Sequence, residues 1–324
     1  MQMFSRDDIE KALSYPALVD ILEAAFRAGA IAPQRHHHTI ELEGRPSATL
    51  LLMPAWTTAG EDAVTAGSYA GVKIVTVFPD NGPRLGLPAI QGLYVLLSTG
   101  SGAPLALLDG PALTAWRTAA ASALASRFLS RPDASRLVVV GAGALCPYLI
   151  RAHASVRPIR EIAIWNRSPE KAERVRDGLP AGLPPVTVAE DLEAAVRQAD
   201  IVSTATLSTV PLVLGEWLQP GAHVDCVGAF KRNMRETDDG VVRRARIWVD
   251  TRAGALAEGG DLVIPIEAGV IGEDKIEGEL RDLARGTAPR RGSANDITMF
   301  KSVGASIEDL AAAVAVYERP AGRT

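Results

Sequence analysis

Residues 137–168 read LVVVGAGALCPYLIRAHASVRPIREIAIWNRS, and this stretch decides the fold. Leu137 to Val140 is a short apolar run, the pattern of a strand buried on both faces of a parallel sheet. Gly141-Ala142-Gly143 follows at once and reads as a tight turn. Leu145 to Val156 reads as a helix closed by Pro158, Glu161 to Trp165 as a second strand, and Asn166-Arg167-Ser168 as the loop that ends it. Strand, glycine turn, helix and strand in this order form the unit that binds a dinucleotide. A pyrophosphate needs N–H donors and positive potential, which a helix N-terminus supplies. Glycines let the backbone approach it without a Cβ in the way. Gly141, Ala142, Gly143, Ala144 and Leu145 are therefore the expected pyrophosphate contacts. Cys146 stands where the third glycine of G-x-G-x-x-G would be, so the reading rests on the order of elements more than on the glycines.

The end of the second strand indicates which dinucleotide. A carboxylate there accepts hydrogen bonds from a ribose 2′-OH and repels a 2′-phosphate, whereas an arginine pairs with the phosphate. This sequence has Asn166 and Arg167, followed by Ser168. NADPH is the expected cofactor, with NADH bound more weakly. The plain alternative is that Arg167 is a solvated loop arginine.

The chain has 324 residues, enough for two domains or one elaborated one, and its composition is that of an ordinary globular enzyme. Its net charge of −4 gives no bulk attraction to nucleic acid or to an anionic membrane. Two cysteines, Cys146 and Cys226, make no disulfide framework. The opening MQMFSRDDIEKAL has no signal-peptide pattern. No apolar run approaches the about 18 residues of a membrane span. A cytoplasmic location is the default expectation.

Ser5 to Arg27 reads as one helix capped by Ser5, with Asp7, Asp8 and Glu10 at its positive end. Strands are expected over Arg35 to Leu42, Ala48 to Pro54, Gly71 to Phe78, Leu93 to Ser98 and Pro104 to Leu108. Gly100-Ser101-Gly102 marks a hairpin between the last two. The first hundred-odd residues thus read as an antiparallel sheet with a helix in front. Lys73 lies inside the apolar strand AGVKIVTVFPDN. A lysine there either meets an anion or snorkels to the surface. His36, His37 and His38 follow Arg35; on a strand they alternate faces, and no H-E-x-x-H or helical His pair accompanies them, so no metal site is expected.

Asp109 or a neighbour begins the next helix, and Ala112 to Ser130 is dense in small helix formers. Arg117 and Thr118 fall near its start. A buried arginine at the positive end of a helix fits an anionic ligand, or else an internal carboxylate. Beyond Arg131-Pro132, strands are expected at Val186 to Ala189, Asp200 to Ala205, His223 to Val227 and Ile247 to Asp250, with a helix over Asp191 to Gln198. This alternation implies a doubly wound parallel sheet, with the cofactor beyond its C-terminal strand ends at Thr206 and Gly228. Asp296 to Phe300 reads as a further strand. Ser302-Val303-Gly304 reads as a turn, and Ser306 to Tyr317 as a helix capped by Ser306 with Asp309 at its start.

These residues resemble one family. The strand GVKIVTVFPDN, the helix WRTAAASALASRFL, GAGALC, IWNRS, VDCVGAFKRNMRETDD and ITMFKSVGASIEDLAAA together are similar to the ornithine cyclodeaminase/μ-crystallin family over nearly the whole chain. The resemblance implies an α/β protein in which a Rossmann doubly wound parallel-sheet domain, here 121–299, is inserted into an α+β substrate-binding and dimerisation domain, here 1–120 plus 300–324. It implies a homodimer with the active site in the cleft. It also implies that Arg35, Lys73 and Arg117 bind a substrate carboxylate, and that Thr118, Ser302 and Gly304 lie near the cofactor.

One departure separates the branches. Cyclodeaminases carry an aspartate in a G-A/G-D-x-P-G-K segment, and alignment on Gly228 puts Phe230 at that position. Phenylalanine can neither take a proton nor orient an ammonium group. GAFKRNMRETDD and IWNRS resemble the imine-reductase branch instead. The implied activity is NADPH-dependent reduction of a cyclic ketimine carboxylate: Δ1-pyrroline-2-carboxylate to L-proline, with Δ1-piperideine-2-carboxylate to L-pipecolate second. Phe230 would line the ring pocket, and Lys73 is the candidate proton donor. Two alternatives stay open: an ornithine cyclodeaminase or other amino-acid dehydrogenase using NAD, and a non-enzymatic μ-crystallin-like binding protein.

Overall fold

The computed structural model describes residues 1–57 and 68–319. The chain starts with β1 (Gln2–Phe4), α1 (Arg6–Ala12) and α2 (Tyr15–Ala28). Ser5 caps α1 in a reciprocal box with Asp8. The single helix expected over Ser5 to Arg27 is therefore two. The cause is Pro16, which sits in the first turn of α2; in mid-helix it would lack a donor and strike the preceding turn.

Next come β2 (His36–Ile40), β3 (Ala48–Trp56), β4 (Tyr69–Val77), α3 (Asn81–Leu85), β5 (Ile90–Ser98), β6 (Pro104–Asp109) and α4 (Gly110–Leu129). The strands form a six-stranded sheet in the order β1-β6-β5-β4-β3-β2. All neighbours are antiparallel except β1, which runs parallel to β6 and mixes the sheet. The β5–β6 hairpin turns at Gly102, whose φ of 72° lies in the left-handed region. Asp109 accepts a bond from the Ala112 amide at 2.7 Å and so begins α4.

The remaining strands build a second sheet. In chain order the elements are β7 (Arg136–Val140), α5 (Cys146–Val156), β8 (Glu161–Trp165), α6 (Pro169–Asp177), β9 (Val186–Val188), α7 (Leu192–Gln198) and β10 (Ile201–Thr204). They continue through β11 (His223–Cys226), α8 (Asp239–Arg244), β12 (Arg246–Val249), α9 (Arg252–Glu258), α10 (Gly260–Glu267), β13 (Ile276–Glu279), α11 (Leu280–Arg285) and β14 (Thr298–Lys301). The sheet is parallel, in the order β13-β12-β14-β11-β10-β7-β8-β9. Neighbouring residues of β7 enter opposite cores. Val138 and Val140 pack with Val202, Val224 and α7; Leu137 and Val139 pack with Ile162, Ile164 and α5. That is why the strand reads as an unbroken apolar run. The chain winds from β7 toward β8 and β9 on one side and toward β10 and β11 on the other, so the switch point lies at β7 and β10.

The last helix, α12 (Ser306–Tyr317), begins with Ala305 as its cap residue and has no side-chain cap. Ser306, expected as the cap, is its first helical residue, and Glu308 and Asp309 supply the negative charge of the first turn. The helix packs on α2, β3, β4 and β5 and is buried along most of its length.

By contacts the chain divides into Met1–Arg117 with Ala305–Thr324, and Thr118–Gly304. Residues 118–120 and 300–304, expected in the first unit, fall in the second by contacts; for 300 and 301 the reason is that β14 is hydrogen-bonded between β11 and β12. Among the described residues, no helix is long and apolar enough to cross a membrane.

Candidate active site

In the first unit, the face of the sheet beneath α12 carries the cationic residues. Lys73 is only 2% exposed, so it does not snorkel to solvent. It stands on β4 directly between Met53 and Tyr94 of the flanking strands, both buried. Its ammonium donates to Asp309 at 2.9 Å. Arg117 is 4% exposed and donates to the same oxygen, Oδ1 of Asp309, through Nε at 2.8 Å, and to Glu308 Oε2 at 2.6 Å. The internal carboxylate partner weighed for Arg117 is thus present twice over. Arg35, half-buried just ahead of β2, is close enough for its charge to act on Lys73.

Lys73 and Arg117 thus share the Asp309 carboxylate, with Glu308 on Arg117 and the Arg35 charge acting from nearby. Burial, and then the Arg117 charge, push the Lys73 ammonium down to about 8 against the pull of Asp309, with Arg35 adding to the fall. Burial also opposes the Arg117 charge, but Asp309 and Glu308 outweigh it and raise that guanidinium above its ordinary value. Tyr94 was not singled out from the sequence. It is fully buried with its ring laid over Gly71, where a Cβ would meet the hydroxyl at 2.2 Å. His36, His37 and His38 are exposed on β2. Among the described residues, no group of three or more His, Cys, Asp or Glu is arranged to hold a metal ion.

In the second unit, the glycine turn lies at the switch point. Gly141 has φ of 110°, and a Cβ there would sit 2.8 Å from the Ala205 carbonyl oxygen. Around Gly143 a Cβ would meet nothing within 4 Å, so this side of the turn is open. Leu145, the cap residue of α5, gives the helix no side-chain cap. A positive helix end behind an open glycine turn fits a dinucleotide pyrophosphate. Cys146 is buried in the core beneath α5, and burial pushes its thiol up to about 12. Asn166 is fixed rather than open: its Oδ1 accepts from the Ala142 amide at 3.2 Å and its Nδ2 donates to the Ser168 carbonyl at 3.0 Å. Arg167 is exposed, and its guanidinium reaches Ser208 Oγ at 3.4 Å. Ser168 precedes α6 without a side-chain capping bond.

The C-terminal ends of β10, β11 and β14 bring Thr206, Gly228 and Ser302 to one edge of the sheet. Gly304, with φ of 87°, turns where Asp250 accepts from both the Val303 and Gly304 amides, at 2.8 and 2.7 Å. Phe230 is half-buried two residues past Gly228, and Thr118 is buried in α4. Beneath this edge lies a charged network that sequence reasoning missed. Glu236 accepts from Thr204 Oγ1 at 2.9 Å and from the Thr206 amide at 2.6 Å. Asp261 accepts from the Glu236 and Thr237 amides and pairs with Lys301 at 3.2 Å. All three charged residues are fully buried. Burial, and then Asp261, push the Glu236 carboxyl up to about 7. A signal was present in the sequence, since Glu236 lies in VDCVGAFKRNMRETDD and Lys301 in ITMFKSVGAS, but neither stretch says that its charge is buried.

A model of the ornithine cyclodeaminase/mu-crystallin family matches residues 1–323. The chain is 39% identical over 310 residues to a Delta(1)-pyrroline-2-carboxylate reductase of Paracoccus denitrificans, covering 95% of this chain and 94% of that one. It is 36% identical over 322 residues to a protein of the same name from Colwellia psychrerythraea, covering 98% and 99%. The solved structure of the Thermococcus litoralis Delta(1)-pyrroline-2-carboxylate reductase, in complex with NADH and L-proline, is similar at a TM-score of 0.89 and 33% identity, covering 98% of this chain and 97% of that one.

Proposed function

Because the chain belongs to the ornithine cyclodeaminase/mu-crystallin family, we propose that it is a nicotinamide-dependent reductase of cyclic ketimine carboxylates, taking Δ1-pyrroline-2-carboxylate to L-proline. The observation that carries this reading is the pair of buried cations, Lys73 and Arg117, with the half-buried Arg35 beside them, joined to relatives of that name over nearly their whole length. Arg35 and Lys73 hold the substrate carboxylate. Arg117, spoken for by Glu308 and Asp309, orders the pocket and adds its charge. Phe230 packs on the ring methylenes. NADPH, when bound, supplies the hydride to the imine carbon.

The reaction adds one hydride and one proton across C=N. A proton that the imine already carries on entry serves, and Lys73 is the residue of the cluster able to give one near neutral pH. The six-membered homologue, yielding L-pipecolate, is the second substrate. NADPH is preferred over NADH through Arg167, with Ser208 and Ser168 beside it. The protein acts in the cytoplasm as a homodimer. Leu85, Leu87, Ile90 and Leu93 in the first unit are large apolar side chains each at least 39% exposed, which supports association.

The amino-acid dehydrogenase and cyclodeaminase readings are less supported, because Phe230 offers no carboxylate to a substrate amine. The test is oxidation of NADPH, followed by its absorbance, with Δ1-pyrroline-2-carboxylate, beside the same assay with NADH and beside L-ornithine with NAD+. Fast oxidation with the imine and no ammonia from ornithine is the expected result. Ammonia and proline from ornithine would overturn it.

A further inference from the structure

Glu236, Asp261 and Lys301 form a buried charged network under the ends of β10, β11 and β14. Glu236 ties three segments together. Its main chain accepts the Leu212 and Val213 amides and donates to Asp261. Its carboxylate holds Thr204 and the Thr206 amide. It also lies against Gly228 so closely that a Cβ there would meet the carboxylate at 2.3 Å. With the adenosine ribose expected at the end of β8, the other half of a bound dinucleotide, which carries the nicotinamide, is expected across the switch point, beyond β10 and β11 at Thr206 and Gly228. One side chain therefore sets where both of them run.

Its charge is also poised. The groups facing it are Asp261 from α10, Lys301 from β14 and the Cys226 thiol from β11. Ionised Glu236 with Asp261 and Lys301 carries one net negative charge; protonated Glu236 leaves the trio neutral. An oxidised nicotinamide ring is cationic and a reduced one is neutral, so a buried negative charge discriminates between them.

We propose that Glu236 is a positioning residue for the nicotinamide half of the cofactor site, and that its charge favours the oxidised over the reduced cofactor. This rests on the reading that a nicotinamide dinucleotide binds at the Gly141 turn. With its carboxyl pushed up to about 7, the preference changes across neutral pH. Oxidised cofactor binds relatively more tightly as pH rises, and a protonated Glu236 in mildly acidic solution favours the reduced form that drives imine reduction.

The test is direct binding, without substrate. NADPH affinity is read by nicotinamide fluorescence and NADP+ affinity by competition, in wild type and Glu236→Gln, from about pH 6 to about pH 8.5. Glutamine keeps the acceptor for the Thr206 amide and removes the charge. Wild type is expected to tighten NADP+ relative to NADPH by about fivefold or more across this range. Glu236→Gln is expected to show a ratio independent of pH and fixed near the acidic wild-type value. A variant that weakens both nucleotides equally, or a ratio that matches wild type at every pH, overturns the proposal. Wild type that binds both nucleotides but reduces no cyclic imine sinks the reductase reading and leaves this one standing. Wild type that binds neither overturns both.

Discussion

Lys73 and Asp309 stand 236 positions apart in the chain and meet at 2.9 Å, both almost without contact with solvent. The pairing binds the middle of β4 to the first turn of α12, and Arg117 completes it by donating to the same Asp309 oxygen. A strand that would be destabilised by a buried lysine, and a helix interior that would be destabilised by a buried arginine, are thus satisfied by one carboxylate. The same arrangement keeps Lys73 and Arg117 side by side on one carboxylate.

Asp309→Asn removes the charge that both cations share. Breaking a buried ion pair from one side leaves an uncompensated charge and costs about 3–5 kcal/mol. Glu308 remains on Arg117 at 2.6 Å, so the lower end is expected. Because the chain has two units, whole-protein melting need not be two-state. Native-state hydrogen exchange of the α12 amides measures the loss locally. A loss below about 1 kcal/mol would mean that the cations are neutralised by another route.

Lys73 also sets a pH dependence. Its value falls from 10.5 to about 8 on folding, so the folded protein binds fewer protons than the unfolded chain between those limits. Charging the buried amine opposes folding below pH 8, and that penalty is relieved as pH rises toward 10.5. The penalty is about 3 kcal/mol at neutral pH. Substrate capture runs the other way, since a neutral lysine no longer attracts a carboxylate. Imine reduction should therefore lose kcat/KM as pH rises through about 8. In Lys73→Arg that alkaline limb should vanish whatever the residual rate. A wild-type profile flat across this range would remove Lys73 from substrate binding.

The βαβ stretch was legible because each of its signals is local: an apolar strand, a glycine turn and a closing proline all lie within one window. The pairing of β13 was not. Its four residues, IEGE, carry two acids and a glycine, and only the neighbouring β12 makes them a strand. Pro16 was visible, yet its consequence, two helices in place of one, was outweighed by the apolar periodicity around it. In the cluster, the three cations could be suspected individually, because an arginine or lysine among apolar residues demands an explanation. Their carboxylate partners could not. Glu308 and Asp309 look like ordinary helix-start acids until α12 is folded onto β4. Glu236 is hidden more thoroughly, since it sits in a polar loop sequence whose burial depends on the end of β10 and on Asp261 of α10.

The two glycines of the turn should separate fold from binding. Gly141 has φ of 110° and a Cβ would press on the Ala205 carbonyl, so Gly141→Ala is strained by about 1–3 kcal/mol and should lower both the melting temperature and nucleotide affinity. Gly143 has open space around the added Cβ. Gly143→Ala should melt like wild type and lose affinity only for dinucleotides, because the methyl meets the ligand and not the protein. Calorimetry and nucleotide titration on both variants check this. Equal melting losses would show that Gly143, too, serves the fold.

Arg167 is exposed beside Ser208, with Asn166 occupied by the glycine turn, so it is the one group of this loop with charge to offer a 2′-phosphate. Arg167→Asp replaces a favourable ion pair by repulsion. It should weaken NADPH by about two orders of magnitude while changing NADH by less than about threefold, or improving it through the ribose 2′-OH. An exposed pair is screened by salt, so the wild-type preference for NADPH should shrink as ionic strength rises. Titration of both cofactors at low and high salt reads both effects. Equal losses for NADPH and NADH in the variant would return Arg167 to the status of a solvated loop residue, and the preference for NADPH would then have to come from elsewhere in the second unit.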